Sequence, residues 1–145
     1  MLLVGISKNR DENGEFSANP ECRESLHSSV EYYNTVGYNP PWICYYAVVF
    51  GKPVGTAAFK GAPVNNKVEI AYGTFENYRN KGIGTQICGK LVEIALKFEP
   101  GLIITARTLP EFNHSTRILE RNNFILKGSI SDPDDGVVWE WVLKK

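Results

Sequence analysis

The stretch NYRNKGIGTQ, residues 77–86, sets two glycines and two cations where a β-rich run gives way to a run with helical periodicity. The first amides of a helix lack intrahelical partners, and the helix dipole adds partial positive charge there. Such an end binds anions when side chains leave the approach open. Gly82 and Gly84 leave it open and permit unusual backbone angles. Arg79 and Lys81 can bond phosphate oxygens directly. The spacing fits neither the P-loop nor the dinucleotide Gly-x-Gly-x-x-Gly, which weakens both readings. A Gly-x-Gly entering a helix can also be a simple turn.

A second chemical group lies just upstream in VEIAYGTF (68–75). Strand alternation puts Glu69, Ala71 and Gly73 on one face, with Val68, Ile70 and Tyr72 on the other. A carboxylate followed by two small residues predicts open space beside a group able to take a proton. A salt-bridged surface glutamate is the structural alternative. Glu111, in a later loop, is a second carboxylate candidate. His27 reads as a solvated helix residue and His114 as a loop-to-helix residue, neither as a base. Cys22, Cys44 and Cys88 are odd in number and far apart. They read as reduced packing thiols of a cytoplasmic protein, with no disulfide framework and no metal site.

Elements must hold these groups. Residues 2–7 predict a strand and 11–14 a turn. Asn19 as N-cap, Pro20 at the first helical position and Gly37 as stop predict one helix, with Cys22, Leu26, Val30 and Tyr33 at helical spacing. Runs 42–50 and 53–61 predict a hairpin through Gly51-Lys52. After the strand 68–75, Ile83, Ile87, Leu91, Ile94 and Phe98 step by helical intervals. A largely apolar strand at 102–109 implies a sheet covered on both faces. A helix over 113–123 and strands at 124–130 and 137–144 complete the order β-α-β-β-β-α-β-α-β-β. That is a single α/β domain over residues 1–145 with a mixed sheet.

The totals agree with that reading. The chain has 145 residues, 43% of them hydrophobic, and its 16 basic and 16 acidic residues cancel. A neutral balance argues against bulk nucleic-acid binding. No apolar stretch reaches the length of a membrane span, and the first residues read as a strand and turn, not a secretion signal.

Arg-x-x-Gly-x-Gly between such a strand and such a helix resembles the acyl-coenzyme A signature of the GNAT N-acetyltransferase superfamily. The segments PWICYYAV, VGTAAFKGAP, VEIAYGTFENYRNKGIGTQ, ARTLPEFNHSTRILERNNF and VWEWVL resemble, in order, a bacterial subfamily related to the ribosomal-protein N-terminal acetyltransferases. The likeness covers residues 40–143. It implies a mostly antiparallel sheet with splayed central strands and helices on both faces.

The resemblance also implies a cosubstrate, acetyl-CoA, and an acceptor, a primary amine on a small molecule or a peptide N-terminus. Its pyrophosphate would sit on Arg79, Asn80, Lys81, Gly82, Ile83, Gly84 and Thr85. Its pantetheine arm would lie between strands 68–75 and 102–109, against Tyr72, Gly73, Thr74 and Phe75. A backbone N–H near Ala71 or Tyr72 would meet the thioester oxygen. Asn113 and Ser115 match the second coenzyme motif, with an N-cap role as the alternative for Asn113. Glu69 matches a position where several relatives carry the catalytic carboxylate. Leu119 replaces the usual tyrosine acid, which leaves solvent or another tyrosine, such as Tyr72. Asn123 replaces a glycine and tolerates the left-handed cap expected there. The acceptor pocket would include Tyr32, Tyr33, Tyr38, Trp42 and Trp139, with no acidic cluster to demand a polycation. Exposed late strands often make dimers in this superfamily, so a homodimer stays open. A coenzyme-A sensor without turnover and an unrelated phosphate-binding scaffold are the competing readings.

Overall fold

The structure is a computed structural model, and it describes residues 1–144. Strands β1 (Leu2–Gly5), β2 (Cys44–Val49), β3 (Lys52–Phe59), β4 (Lys67–Thr74), β5 (Ile103–Thr108), β6 (Phe124–Asp132) and β7 (Gly136–Leu143) form one sheet. Its order is β1-β2-β3-β4-β5-β7-β6. Every neighbouring pair is antiparallel except β4 and β5, which run parallel at the centre. Helices α1 (Gly14–Ser17), α2 (Arg23–Val36), α3 (Ile83–Phe98) and α4 (His114–Arg121) cover it, with short 3-10 turns at Arg10–Asn13 and Glu76–Tyr78. The expected β-α-β-β-β-α-β-α-β-β order is therefore present, with α1 and the two 3-10 turns added.

Each face of the sheet has its own core. Ile87, Cys88, Leu91 and Ala95 of α3 are fully buried, as their helical spacing requires. Gly55 on β3 lets α3 approach, since a Cβ there would meet Ile87 and the Gly73 carbonyl. On the opposite face α2 buries Leu26 and Tyr33. Tyr46 of β2 is fully buried and donates its hydroxyl to the Cys22 carbonyl at 2.9 Å. The Tyr33 hydroxyl donates to Ile6 O (2.8 Å) and accepts from the Cys44 amide (3.0 Å). These polar ties fix α2 over β1 and β2 without leaving buried groups unpaired.

The start of α2 differs from expectation. Asn19 Oδ1 accepts from the Glu21 amide, and the Cys22 amide bonds Asn19 O, closing a separate turn. Cys22 then occupies the N-cap position and the helix begins at Arg23. Asn19 and Pro20 are turn signals here, one turn too early for the helix. Asn123 does adopt the left-handed conformation after α4, with φ of 66°. In β5, Ile104, Thr105 and Ala106 are buried in succession, the pattern of a strand covered on both faces.

Candidate active site

The site begins where the parallel pair comes apart. β4 and β5 pair from Lys67↔Ile103 to Ile70↔Ala106. Beyond that point β5 stays with β7, and β4 stays with β3 as far as Thr74. Past Ile70 and Ala106 the two strands have no shared ladder. Backbone direction decides what faces the gap. Glu69 O accepts from Lys60 N, and Phe75 N donates to Val54 O, so these residues bond toward β3. By antiparallel alternation Ala71 and Gly73 bond the same way. Tyr72 and Thr74 therefore turn their backbone groups into the gap. Of the amides expected there, Tyr72 N–H is available and those of Ala71, Gly73 and Phe75 are committed to β3. The Thr74 carbonyl already accepts from Arg79 Nε at 3.2 Å, which anchors that guanidinium at the end of β4.

The glycine loop opens α3. Gly82 is its N-cap in the left-handed conformation (φ 76°), a backbone state that favours glycine. Gly84 has a different task. A Cβ there would come within 2.5 Å of Ile118 Cδ1, so this glycine lets α4 press against the first turn of α3. The result is a cavity of about 220 Å³ between the loop and α4, bordered by Asn80, Gly82, Thr85, His114, Arg117 and Arg121. Thr85 Oγ1 is buried with no hydrogen-bond partner there. A buried hydroxyl without a partner, open helix amides and two guanidiniums form a set suited to phosphate oxygens. Sequence reasoning missed Arg117 and Arg121, although their i, i+4 spacing on α4 puts them on one face. Lys81 borders neither this cavity nor the next one along and stands 6.0 Å over the Tyr78 ring.

A cavity of about 530 Å³ continues from Arg79 and Asn80 along Tyr72, Gly73, Thr74 and Ser115. Asn113 caps α4, accepting from Thr116 N at 3.2 Å while Thr116 Oγ1 accepts from Asn113 N at 2.8 Å. This capping box occupies the carbonyl oxygen of its side chain and leaves the amide end able to donate. The Tyr72 hydroxyl donates to Ser115 O at 3.2 Å, tying the free part of β4 to α4. Burial, with a smaller contribution from Cys88, pushes the Tyr72 phenol far above its ordinary value, so it remains a neutral donor. Leu119 is fully buried, and its position points into the core.

Glu69 sits on the α2 side of β4, opposite to Tyr72, as alternation predicts. Two cations share the open space expected beside it. Lys60 Nζ lies 3.3 Å and Arg107 Nε 3.4 Å from its carboxylate, and Arg107 also bonds Asp132 at 2.8 Å. The open position is one step on, at the exposed Ala71. Two hollows meet there. One, of about 240 Å³, contains Glu69, Lys60, Arg107, Asp132 and Asp135. The other, of about 480 Å³, lies under α2 with Glu21, Glu24, Ser25, Ser29, Thr56 and Tyr72 around it. None of Tyr32, Tyr33, Tyr38, Trp42 and Trp139 borders that second hollow. Tyr33 and Trp42 are core residues, and Trp139 packs on Phe112. Two glutamates stand where no acidic group was expected. Glu111 is exposed and borders none of these hollows.

The three thiols are buried and unpaired. Burial raises the pKa of each, that of Cys88 to about 12, which leaves no activated thiolate among them. Among the described residues no cluster of His, Cys, Asp or Glu could hold a metal ion, and no helix is long and apolar enough to cross a membrane.

Residues 10–124 match the Acetyltransferase (GNAT) family. No curated protein matches the sequence. Solved structures with similar folds include the aminoglycoside acetyltransferase AAC(6')-Ib in complex with coenzyme A, at 19% identity and TM-score 0.70. That match covers 99% of this chain and 94% of the other. The ribosomal L7/L12 α-N-protein acetyltransferase RimL with coenzyme A gives 14% identity and TM-score 0.68 over 97% of this chain and 91% of its own. A spermidine N-acetyltransferase SpeG chimera from Vibrio cholerae and hSSAT gives 12% identity and TM-score 0.71 over 99% of this chain and 95% of its own.

Proposed function

The chain belongs to the GNAT acetyltransferase family, and from that premise we propose that it moves an acetyl group from acetyl-CoA to a primary amine within a ternary complex. One observation carries the reading. The parting of β4 from β5 leads, through one continuous run of cavities, to the glycine loop and the two arginines of α4. A long ligand with an acyl end and a phosphate end fits that run. Each relative named above is an acetyltransferase by its own description, and none supports a sensor without turnover.

In this reading Gly82, Ile83, Gly84 and Thr85 receive the pyrophosphate, with Arg79, Asn80, Arg117 and Arg121 beside it and Lys81 in the outer field. The gap-facing backbone of Tyr72 and Thr74 pairs with the pantetheine amides as an added strand would. Asn113 and Ser115 close over the arm. The amine nitrogen attacks the thioester carbonyl, the C–S bond breaks, and coenzyme A leaves as the thiol. Tyr72 N–H is the donor for the carbonyl oxygen as charge develops on it. Glu69, directly or through water, accepts the proton that the amine loses, and Lys60 and Arg107 fix its position. Glu111 is the weaker candidate for this role, since it borders no cavity. The Tyr72 hydroxyl, kept neutral by burial, is the side-chain acid available where α4 offers Leu119. No thiol is suited to carry a covalent acetyl group, which favours direct attack. Unpaired cysteines support a cytoplasmic location, and the balanced charge supports no role in nucleic-acid binding. A homodimer remains an expectation from the superfamily.

The test uses acetyl-CoA labelled in its acetyl group with a panel of amines and N-terminal peptides. Label recovered as an amide of one of them is the expected result. Label that stays on coenzyme A, or leaves only as acetate, overturns the proposal.

A further inference from the structure

We propose that the acceptor is a primary amine carrying a second cationic centre, and that Glu21 and Glu24 receive that second charge while the reacting nitrogen stands at Ala71. The inference rests on the transferase reading and gives its substrate class. The site itself is defined by space: the hollow of about 480 Å³ under α2 reaches Ala71 and Tyr72, where β4 leaves β5. The hollow of about 240 Å³ on the other side also includes Ala71. An amine that enters by either must pass the same point.

The charges then choose the ligand. The hollow under α2 is bordered by two carboxylates and no cation. Neither Glu21 nor Glu24 is in an ion pair among the described residues. Around them are the hydroxyls of Ser25, Ser28 and Ser29, with alanines toward the sheet. On the far side Lys60 and Arg107 are engaged by Glu69 and Asp132, and Asp135 adds one further carboxylate. A carboxylate-bearing acceptor such as a free amino acid would meet like charge at both ends, which acts against it. A second ammonium would meet opposite charge under α2.

Three acceptors of one chain length make the test: 1,4-diaminobutane, butylamine and 4-aminobutanoate, alongside a neutral peptide N-terminus. The expected order of kcat/KM is diamine, then monoamine, then amino acid, with roughly tenfold between neighbours at low salt. The spread should narrow at about 0.5 M salt, where exposed charges are screened. In E21Q/E24Q the diamine should lose most of its advantage over butylamine, chiefly through KM, with acetyl-CoA affinity checked by calorimetry as the control for folding. Equal use of the three amines, better use of the peptide or the amino acid, or an advantage that survives in the double variant would overturn the substrate class. Failure of every acceptor with coenzyme still bound would instead overturn the transferase reading beneath it.

Discussion

In the proposed reaction Glu69 accepts a proton while two cations hold its carboxylate, and Tyr72, on the other face of the strand, holds its own until the thiolate departs. Positioned proton transfer contributes about 10²–10⁴ in rate. Glu69→Gln should therefore lower kcat at least about 100-fold. Its Kd for acetyl-CoA should not move, because Glu69 borders no part of the coenzyme cavities. Retention of full kcat would remove Glu69 from the chemistry. For Tyr72 the sign follows from burial. A raised folded value keeps the phenol protonated well past its ordinary range, so kcat should show no fall near pH 10 from its ionisation. Tyr72→Phe should lower kcat across the whole profile without shifting its limbs, as a pH–rate comparison of the two proteins would reveal. Gly84 gives a structural prediction at the same scale. An alanine there must displace Ile118, so Gly84→Ala should cost about 1–3 kcal/mol in denaturant unfolding and weaken coenzyme binding together.

At the scale of elements, the proposed phosphate site is built from two helices, since α3 and α4 border one cavity. Replacing Arg117 and Arg121 with glutamine should weaken acetyl-CoA binding about tenfold and flatten its salt dependence, with kcat at saturation little changed. The β6–β7 turn carries a pH dependence of its own. Asp132 Oδ1 accepts from the Asp134 and Asp135 amides, and Oδ2 from Arg107. These bonds, the Asp134 amide foremost, hold the carboxyl below its ordinary value. The lowered folded pKa makes this contribution complete above the unfolded value and lost as pH falls through the folded one. Acid titration followed by NMR should show the turn amides loosening below about pH 4, the ordinary aspartate range.

Elements also decide what could be read in advance. The apolar spacing of α3 and the alternation in β4 each specify a single answer, and both are present. The α2 start was misplaced because Asn19 and Pro20 close a turn by local bonds that a capping signal also predicts. The place of the glycine loop at the start of α3 was legible because its residues are contiguous. Arg117, Arg121 and the pairing of Glu69 with Lys60 and Arg107 were not, since they depend on partners from other strands and helices.

On the scale of the molecule, the same separation hid the hollow under α2. Glu21, Glu24 and Ala71 border one hollow only once α2 is laid over the sheet, which joins distant parts of the chain. The coenzyme cavities likewise join α3, α4 and the free end of β4, so a ligand there should tie the halves of the sheet together. Saturation at 100 times Kd would add about 2.7 kcal/mol by mass action.

The central claim is transfer from bound acetyl-CoA to a bound amine, without a covalent enzyme intermediate. Initial rates of thiol release, with acetyl-CoA and 1,4-diaminobutane both varied, test it most directly. The predicted result is release that depends on the amine, with double-reciprocal lines that intersect. Parallel lines, or release indifferent to the amine, would contradict it.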